Sequence, residues 1–130
     1  MTEIVNVRHP VAIVVDDEPV VRMDTADMVE DEGFEVIEAK TVDAAFELLK
    51  QFPSIRLVVT DTQTPGAMTG CELAWEISRR WPSVCVVVAS GSGRPEDNEL
   101  PATAIYVAKP LSADVVHEAV EEYCRNCDVR

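Results

Sequence analysis

The sequence has little positive charge and few aromatic residues, and it lacks any long apolar stretch. Its 130 residues include 11 lysines and arginines against 24 aspartates and glutamates, so the formal net charge is −13. Such an acidic surface repels phosphate backbones and anionic lipids, which argues against nucleic acid or a membrane as a direct partner. No apolar run approaches the roughly 20 residues of a membrane-spanning helix. The N-terminus also lacks a signal-peptide pattern, so we expect a cytoplasmic protein.

Cysteine is also scarce, and the placing of the four cysteines predicts neither a zinc site nor a redox site. Cys85 lies in an apolar run and is expected to be a small buried hydrophobic residue. Cys124 and Cys127 form a C-x-x-C pattern late in a predicted helix, without the second pair that a zinc site requires. We therefore interpret Cys124 and Cys127 as structural.

What the sequence does contain is a regular alternation of short apolar runs and amphipathic segments. The apolar runs predict five strands, at Val11–Val15, Phe34–Ala39, Arg56–Thr60, Val84–Ala89 and Ala104–Ala108. The second run is partly alternating, as expected for an edge strand. This order implies an α/β fold, with a doubly wound five-stranded parallel sheet covered by helices on both faces. We expect one domain over residues 1–130.

The segments between the strands predict helices with recognisable ends. The first runs from Pro19 to about Glu32, where Gly33 stops it. Thr41 caps the second, Pro82 ends the third, and Ser112 caps the last. Residues 91–101 hold two glycines and two prolines, so the helix expected between the fourth and fifth strands is short or absent.

Charged or reactive side chains stand where four of the predicted strands end. Asp16 and Asp17 follow the first strand, Asp61 the third, Ser90 the fourth and Lys109 the fifth. Clustered carboxylates repel one another unless a cation shares them. That cation could be a lysine, but a hard divalent metal fits clustered oxygens better. Ligands bind beyond the carboxyl ends of parallel strands, and with the strand order 2-1-3-4-5 the acids form one pocket.

These residues, in this order, resemble the receiver domain of two-component response regulators over residues 10–127. The residues that carry the resemblance are Asp16-Asp17, Asp61, Pro65 four positions later, Ser90 and Lys109-Pro110. Each motif is weak alone, but their order at successive strand ends is specific. The resemblance implies a flavodoxin-like sheet and a phosphoacceptor regulator.

The resemblance also implies a role for each site residue. Asp61 is the phosphoacceptor, and its donor is the phosphohistidine of a sensor histidine kinase or a histidine phosphotransfer protein. Mg²⁺ is bound by Asp17 and Asp61 directly, by Asp16 through water and by the carbonyl of Gln63. Lys109 and Ser90 contact the phosphoryl oxygens. Tyr106 matches the switch aromatic that signals with Ser90 to a downstream protein, although an ordinary strand aromatic is an equal interpretation.

Some features depart from the family pattern, and other functions remain open. Thr64 stands where a methionine is usual, and the loop from Asp61 to Gly70 is one residue longer. We hypothesise that residues 91–101 are ordered partly by phosphorylation or by a partner. The alternatives are a Mg²⁺-dependent aspartyl phosphohydrolase and a receiver-like interaction module that is not phosphorylated. We expect no enzymatic turnover beyond self-phosphorylation and autodephosphorylation.

Overall fold

A central parallel sheet brings the ends of all five strands to one edge. The computed structural model describes residues 10–62, 66–91 and 99–127, and for 124–127 the backbone only. The strands are β1 (Val11–Val15), β2 (Glu35–Ala39), β3 (Ile55–Asp61), β4 (Cys85–Ser90) and β5 (Ile105–Ala108). Their order is β2-β1-β3-β4-β5, and every neighbouring pair is parallel. The predicted flavodoxin-like fold and strand order are confirmed.

Helices cover both faces of this sheet. In the described part of the chain they are α1 (Pro19–Glu30), α2 (Val42–Gln51), α3 (Gly70–Arg80) and α4 (Ala113–Cys127). The core residues of α1 and α4 pack on one face, and those of α2 and α3 on the other. No helix in the described ranges is long and apolar enough to cross a membrane.

The connection between β4 and β5 is described only in part. Gly91 and residues 99–104 contain no helix, as the prediction of a short or absent helix requires. Residues 92–98 lie outside the described residues, and so does most of the segment predicted to be ordered by phosphorylation.

Two-sided burial explains why β1 is an uninterrupted apolar run. Successive side chains of a strand point to opposite faces of the sheet. Ala12 and Val14 accordingly pack in the core under α1 and α4, whereas Ile13 and Val15 pack in the core under α2 and α3. All four are buried, so charged residues are excluded until the strand ends.

The predicted helix caps are present. The Thr41 hydroxyl accepts a hydrogen bond from the Ala44 amide, and the Ser112 hydroxyl accepts one from Val115. Helix α3 begins with a capping box that the sequence analysis did not identify. In it Thr69 and Glu72 each accept a hydrogen bond from the other's backbone amide.

Several element boundaries differ by one or two residues from their predicted positions, and two of these differences have identifiable reasons. Helix α1 ends at Glu30 because the next turn tightens, with the Gly33 amide bonded to the Glu30 carbonyl. Gly33 has a φ of +102°, a conformation that favours glycine. Strand β3 includes Asp61, which pairs with Ala89 of β4, so Asp61 is the last residue of the strand rather than the first after it.

Candidate functional site

The ends of β1, β3, β4 and β5 bring the predicted site residues to one edge of the sheet. Val15 pairs with Thr60, so Asp16 and Asp61 leave adjacent strands at the same level. Asp61 pairs with Ala89, the residue before Ser90, and Ser90 pairs with Ala108, the residue before Lys109. The register of the parallel sheet thus places Asp16, Asp61, Ser90 and Lys109 together.

Lys109 joins the acidic side chains of β1 and β3. Its Nζ lies 2.8 Å from Asp61 Oδ2 and 3.3 Å from Asp16 Oδ2. All three side chains are mostly buried. Partly buried carboxylates this close are costly without a cation, and here the ammonium supplies the positive charge.

The position of Lys109 also determines its protonation. Burial opposes the charge of the ammonium, but the hydrogen bonds and negative charges of Asp61 and Asp16 outweigh burial and raise the pKa of Lys109. The lysine is therefore charged at neutral pH, and it acts as a fixed positive point charge rather than as a proton donor.

Asp16 is held by the turn between β1 and α1. This residue is 6% exposed, and its Oδ1 accepts a hydrogen bond of 3.0 Å from the Glu18 amide. Its carbonyl oxygen accepts one of 2.9 Å from Arg22 Nη1. Arg22 also binds Glu38 at the end of β2 through Nε, at 2.9 Å, so one guanidinium ties α1 to both strands. Hydrogen bonds thus hold both the side chain and the backbone carbonyl of Asp16.

Asp17 and Gln63 are the remaining predicted metal ligands. Asp17 is exposed, and Gln63 lies outside the described residues. Across the described ranges, no three His, Cys, Asp or Glu side chains form a group that could hold a metal ion. The structure thus brings Asp16 and Asp61 together around an ammonium, with Asp17 beside them at the surface.

The two predicted switch residues lie on the neighbouring strands β4 and β5. Ser90 is 3% exposed at the end of β4, and its carbonyl accepts a hydrogen bond of 2.9 Å from the Lys109 amide. Tyr106 is half-buried in β5 and pairs with Val88 of β4. This backbone hydrogen bond therefore couples Ser90, at the end of β4, to Lys109. Lys109 directly follows β5, the strand that carries Tyr106.

Helix α3 approaches the end of β3 closely, and Gly70 makes the approach possible. A Cβ at this position would lie 2.1 Å from the Asp61 carbonyl oxygen, so only glycine fits. The Gly70 amide donates to the Thr62 carbonyl at 3.4 Å, and the Thr62 amide donates to Ala89. The two ends of the loop after Asp61 are thereby pinned to each other and to β4.

Asp43 of α2 holds the second half of that loop. Its Oδ2 accepts a hydrogen bond of 3.0 Å from the Ala67 amide, and its Oδ1 accepts one of 3.1 Å from the Met68 amide. Gly66, with a φ of +138°, lies against the same carboxylate. One side chain on another element thus engages three consecutive loop residues.

A groove of about 620 Å³ opens beside the site, between α1 and the start of the segment after β5. Its lining includes Val21 and Thr25 of α1 together with Lys109, Pro110 and Leu111. Val20 also lines the groove and is 76% exposed, and Met23 on the same helix is 56% exposed. Both exposed apolar side chains therefore lie on the helix that borders the charged site.

Sequence patterns did not identify Arg22, Asp43 and Gly70 as site residues. Arg22 looks like a solvated helix residue, and Asp43 looks like a common acidic residue in a first helical turn. Gly70 offered a signal, because a glycine that opens a helix weakens it and implies a close approach. The partners of Asp43 are 24 and 25 residues away, and Glu38 is 16 residues from Arg22, so local sequence patterns do not reveal these contacts.

A family model and a curated protein match this chain. Residues 12–121 match the model described as the response regulator receiver domain. Over 100 residues the chain is 34% identical to the hydrogenase transcriptional regulatory protein HoxA of Cupriavidus necator. That match covers 70% of this chain and 20% of HoxA, so the chain spans about a fifth of its relative's length.

Solved structures share the fold over nearly the whole chain. A response regulator receiver protein from Sinorhizobium medicae superposes with a TM-score of 0.84 at 24% identity, covering 91% of this chain and 96% of that one. A receiver domain protein from Clostridium thermocellum gives 0.80 at 24% identity, with 92% and 97% covered. The response regulator TrrA from Thermotoga maritima, in complex with Mg²⁺ and BeF, gives 0.76 at 27% identity, with 88% and 98% covered.

Proposed function

This chain belongs to the response regulator receiver domain family, and we propose that Asp61 is its phosphoacceptor. The donor is the phosphohistidine of a sensor histidine kinase or a histidine phosphotransfer protein. The observation that carries the proposal is the position of Asp61 at the end of β3, with Lys109 Nζ 2.8 Å from its Oδ2. A carboxylate at the rim of the sheet with a fixed cation beside it suits an anionic electrophile.

The transfer replaces a phosphorus–nitrogen bond with a phosphorus–oxygen bond. An Asp61 carboxylate oxygen attacks the phosphorus, and the electron pair of the broken bond stays on the donor imidazole, which is left neutral or takes a proton from solvent. The charge of Lys109, now balanced by two carboxylates, becomes available to the phosphoryl oxygens. In the resting site, despite burial, the pKa of Lys109 is raised by Asp61 and Asp16, so the side chain is already a charged ammonium when the phosphoryl group arrives.

Mg²⁺ fits the chemistry of the donor set, which consists of carboxylate oxygens. In this proposal Asp16, Asp17, Asp61 and the carbonyl of Gln63 hold the ion, and the buried Asp16 is already oriented by the Glu18 amide. The bound ion supplies positive charge against the acids and the incoming phosphoryl oxygens. The chain's own contribution is to present hard oxygen ligands on adjacent strands.

Ser90 and Tyr106 are the proposed switch. The Ser90 hydroxyl follows the phosphoryl oxygens, and Tyr106 turns inward as Ser90 moves. The hydrogen bond between the Lys109 amide and the Ser90 carbonyl supports this coupling, because movement at the end of β4 also affects β5. The altered surface is read by a downstream protein, without direct contact with nucleic acid or membrane.

Helix α1 is the proposed contact surface for the donor protein. Donor and acceptor must meet at the Asp61 edge, and the exposed Val20 and Met23 lie on the helix that follows the acidic turn. A Val20→Asp variant separates docking from chemistry. It should slow labelling by a phosphorylated histidine phosphotransfer protein and leave labelling by acetyl phosphate unchanged. If both donors label Val20→Asp as fast as they label the wild type, the docking surface lies elsewhere.

Intact-protein mass spectrometry after incubation with acetyl phosphate and Mg²⁺ tests the phosphoacceptor. We expect one phosphoryl group on the wild type and none on Asp61→Asn. Asp31→Asn, an exposed aspartate after α1, is the matched control and should label as the wild type does. Equal labelling of wild type and Asp61→Asn would refute the assignment. Continuous hydrolysis of a phosphoester substrate would favour a phosphohydrolase instead.

A further inference from the structure

A carboxylate from α2 braces the second half of the loop that follows Asp61. Asp43 accepts backbone hydrogen bonds from Ala67 and Met68, one on each carboxylate oxygen, at 3.0 and 3.1 Å. Asp43 is 24 and 25 residues away from these partners in sequence. Charge-assisted bonds of this kind are stronger than neutral ones, so the contact is a firm long-range tether.

The backbone conformation of Gly66 allows the same carboxylate to approach closely. Its φ of +138° lies in a region that side chains disfavour, and a Cβ there would stand 3.2 Å from Asp43 Oδ2. The glycine therefore permits both the backbone turn and the close approach of Asp43. The contact thus depends on complementary features of both partners.

The braced segment is short and closely linked to the reacting residue. Its C-terminal end is the Gly70 amide, which donates to the Thr62 carbonyl and packs against the Asp61 carbonyl. Its other end leaves directly from Asp61 through Thr62. The contact with Asp43 adds a fixed point just before Gly70, and so restricts the backbone that packs against the Asp61 carbonyl.

We propose that Asp43 is a positioning residue for phosphoryl transfer. By holding residues 66–68 against the first turn of α2, it fixes the loop that leaves Asp61 and so preorganises the Mg²⁺ and phosphoryl site. This inference rests on the proposed role of Asp61. Asp43 does not touch the phosphoryl group and acts only through the loop.

Two Asp43 variants and a matched control test the proposal. Asp43→Ala removes both acceptors, and Asp43→Asn keeps one acceptor but turns an amide donor toward a backbone donor. Thr41→Ala weakens the start of the same helix by removing its cap to the Ala44 amide, without touching the loop. Any effect of general helix destabilisation therefore appears in all three proteins, and a positioning effect only in the Asp43 variants.

Two measurements are made on each protein. Amide hydrogen exchange should accelerate about tenfold at Ala67 and Met68 in Asp43→Ala, and remain at the wild-type rate in Thr41→Ala. The Mg²⁺ concentration that gives half-maximal labelling by acetyl phosphate should rise roughly three- to tenfold in both Asp43 variants. The final extent of labelling at saturating Mg²⁺ should stay at one phosphoryl group.

The outcomes separate this inference from the proposed function. If the wild type is labelled on Asp61 but Asp43→Ala matches it in both measurements, Asp43 does not position the loop and only this inference fails. If Thr41→Ala raises the Mg²⁺ requirement as much as Asp43→Ala, the effect belongs to helix stability and the inference is overturned. If the wild type accepts no phosphoryl group, the proposed function fails, and the inference fails with it.

Discussion

The Lys109 ammonium binds the Asp61 carboxylate at 2.8 Å although the two residues are 48 positions apart in sequence. The same ammonium reaches Asp16 at 3.3 Å, so one cation balances acids at the ends of two adjacent strands. The charge balance of this partly buried pair of carboxylates therefore depends on Lys109. This dependence makes the response of the site to added cations predictable.

Lys109→Met should destabilise the protein in the absence of Mg²⁺. It should also increase the stabilisation that added Mg²⁺ provides. The substitution keeps the length of the side chain but leaves Asp16 and Asp61 without their cation, at an expected loss of roughly 1–2 kcal/mol in unfolding free energy. Thermal unfolding with and without Mg²⁺ measures this. The ion should restore more stability to the variant than it adds to the wild type.

Lys50→Met is the matched control for that substitution. Lys50 is an exposed lysine of α2 that pairs with Glu47 three residues earlier, so its removal should change stability by no more than about 0.5 kcal/mol. Its Mg²⁺ response should equal that of the wild type. A Mg²⁺ response in Lys109→Met no larger than in Lys50→Met would contradict the idea that the lysine and the metal share the same acids.

Local patterns predicted the ends of the strands well, because a strand buried on both faces excludes charge until it ends. Asp16, Ser90 and Lys109 were located in this way, and the parallel register brings them to one edge with Asp61. The same patterns placed helix caps such as Thr41 correctly, since a cap bonds to an amide three residues away. Interactions within one turn or one strand leave a signature in the sequence.

Contacts between distant elements leave little or no such signature. Arg22 reads as a surface residue of α1, yet its guanidinium is mostly buried between the Asp16 carbonyl and Glu38. Asp43 reads as an acid that favours a helix start, and only the fold shows that its carboxylate meets the amides of Ala67 and Met68. The contacts that support the site therefore cannot be predicted from local sequence patterns and become apparent only in the folded structure.

Arg22→Met should destabilise the protein more than Glu38→Gln does. The arginine substitution removes the donor to the Asp16 carbonyl and the ion pair with Glu38, for an expected loss of about 1–2 kcal/mol. Glu38→Gln keeps an oxygen acceptor for the guanidinium and leaves the bond to Asp16 intact. Urea unfolding of both variants measures the difference. Equal losses would mean that the bond to the Asp16 carbonyl contributes nothing.

The contact between His117 and Glu32 should make stability depend on pH near neutrality. His117 Nδ1 lies 3.0 Å from Glu32 Oε1, which joins α4 to the turn after α1. The hydrogen bond to Glu32 and the negative charge of Glu32 raise the pKa of His117, and limited burial of the imidazole opposes this rise. The charges of Glu121 and Asp114 raise the pKa further by smaller amounts. Because the folded state binds the proton more tightly, the stabilisation is complete below the unfolded-state value of about 6.5.

That stabilisation is lost as the pH rises through the raised folded-state pKa of His117. The difference in unfolding free energy between the wild type and His117→Gln should therefore shrink as the pH rises from about 6.5 upward. Urea unfolding across this range, with an NMR titration of the imidazole, checks the direction. Glu32→Gln should return the His117 titration toward its ordinary position. A constant difference at all pH values would show that the ion pair does not contribute.

Gly70→Ala should disturb both stability and phosphorylation, because the added methyl group has no room. It would lie 2.1 Å from the Asp61 carbonyl oxygen, so either the start of α3 or the end of β3 must move. We expect a loss of about 1–3 kcal/mol in unfolding free energy, as for overpacking in a core. Displacement of the phosphoacceptor should also slow labelling by acetyl phosphate by roughly tenfold or more.

Gly91→Ala provides the comparison, since it lies next to the same site without crowding it. Among the described residues, the nearest neighbour of a methyl group there would be Lys109 Cβ at 3.9 Å, which is ordinary contact. We expect its stability to stay within about 0.5 kcal/mol of the wild type and its labelling rate to be unchanged. If Gly70→Ala labelled as fast as Gly91→Ala despite its lower stability, α3 would have absorbed the shift, and the backbone contact at Gly70 would not position Asp61.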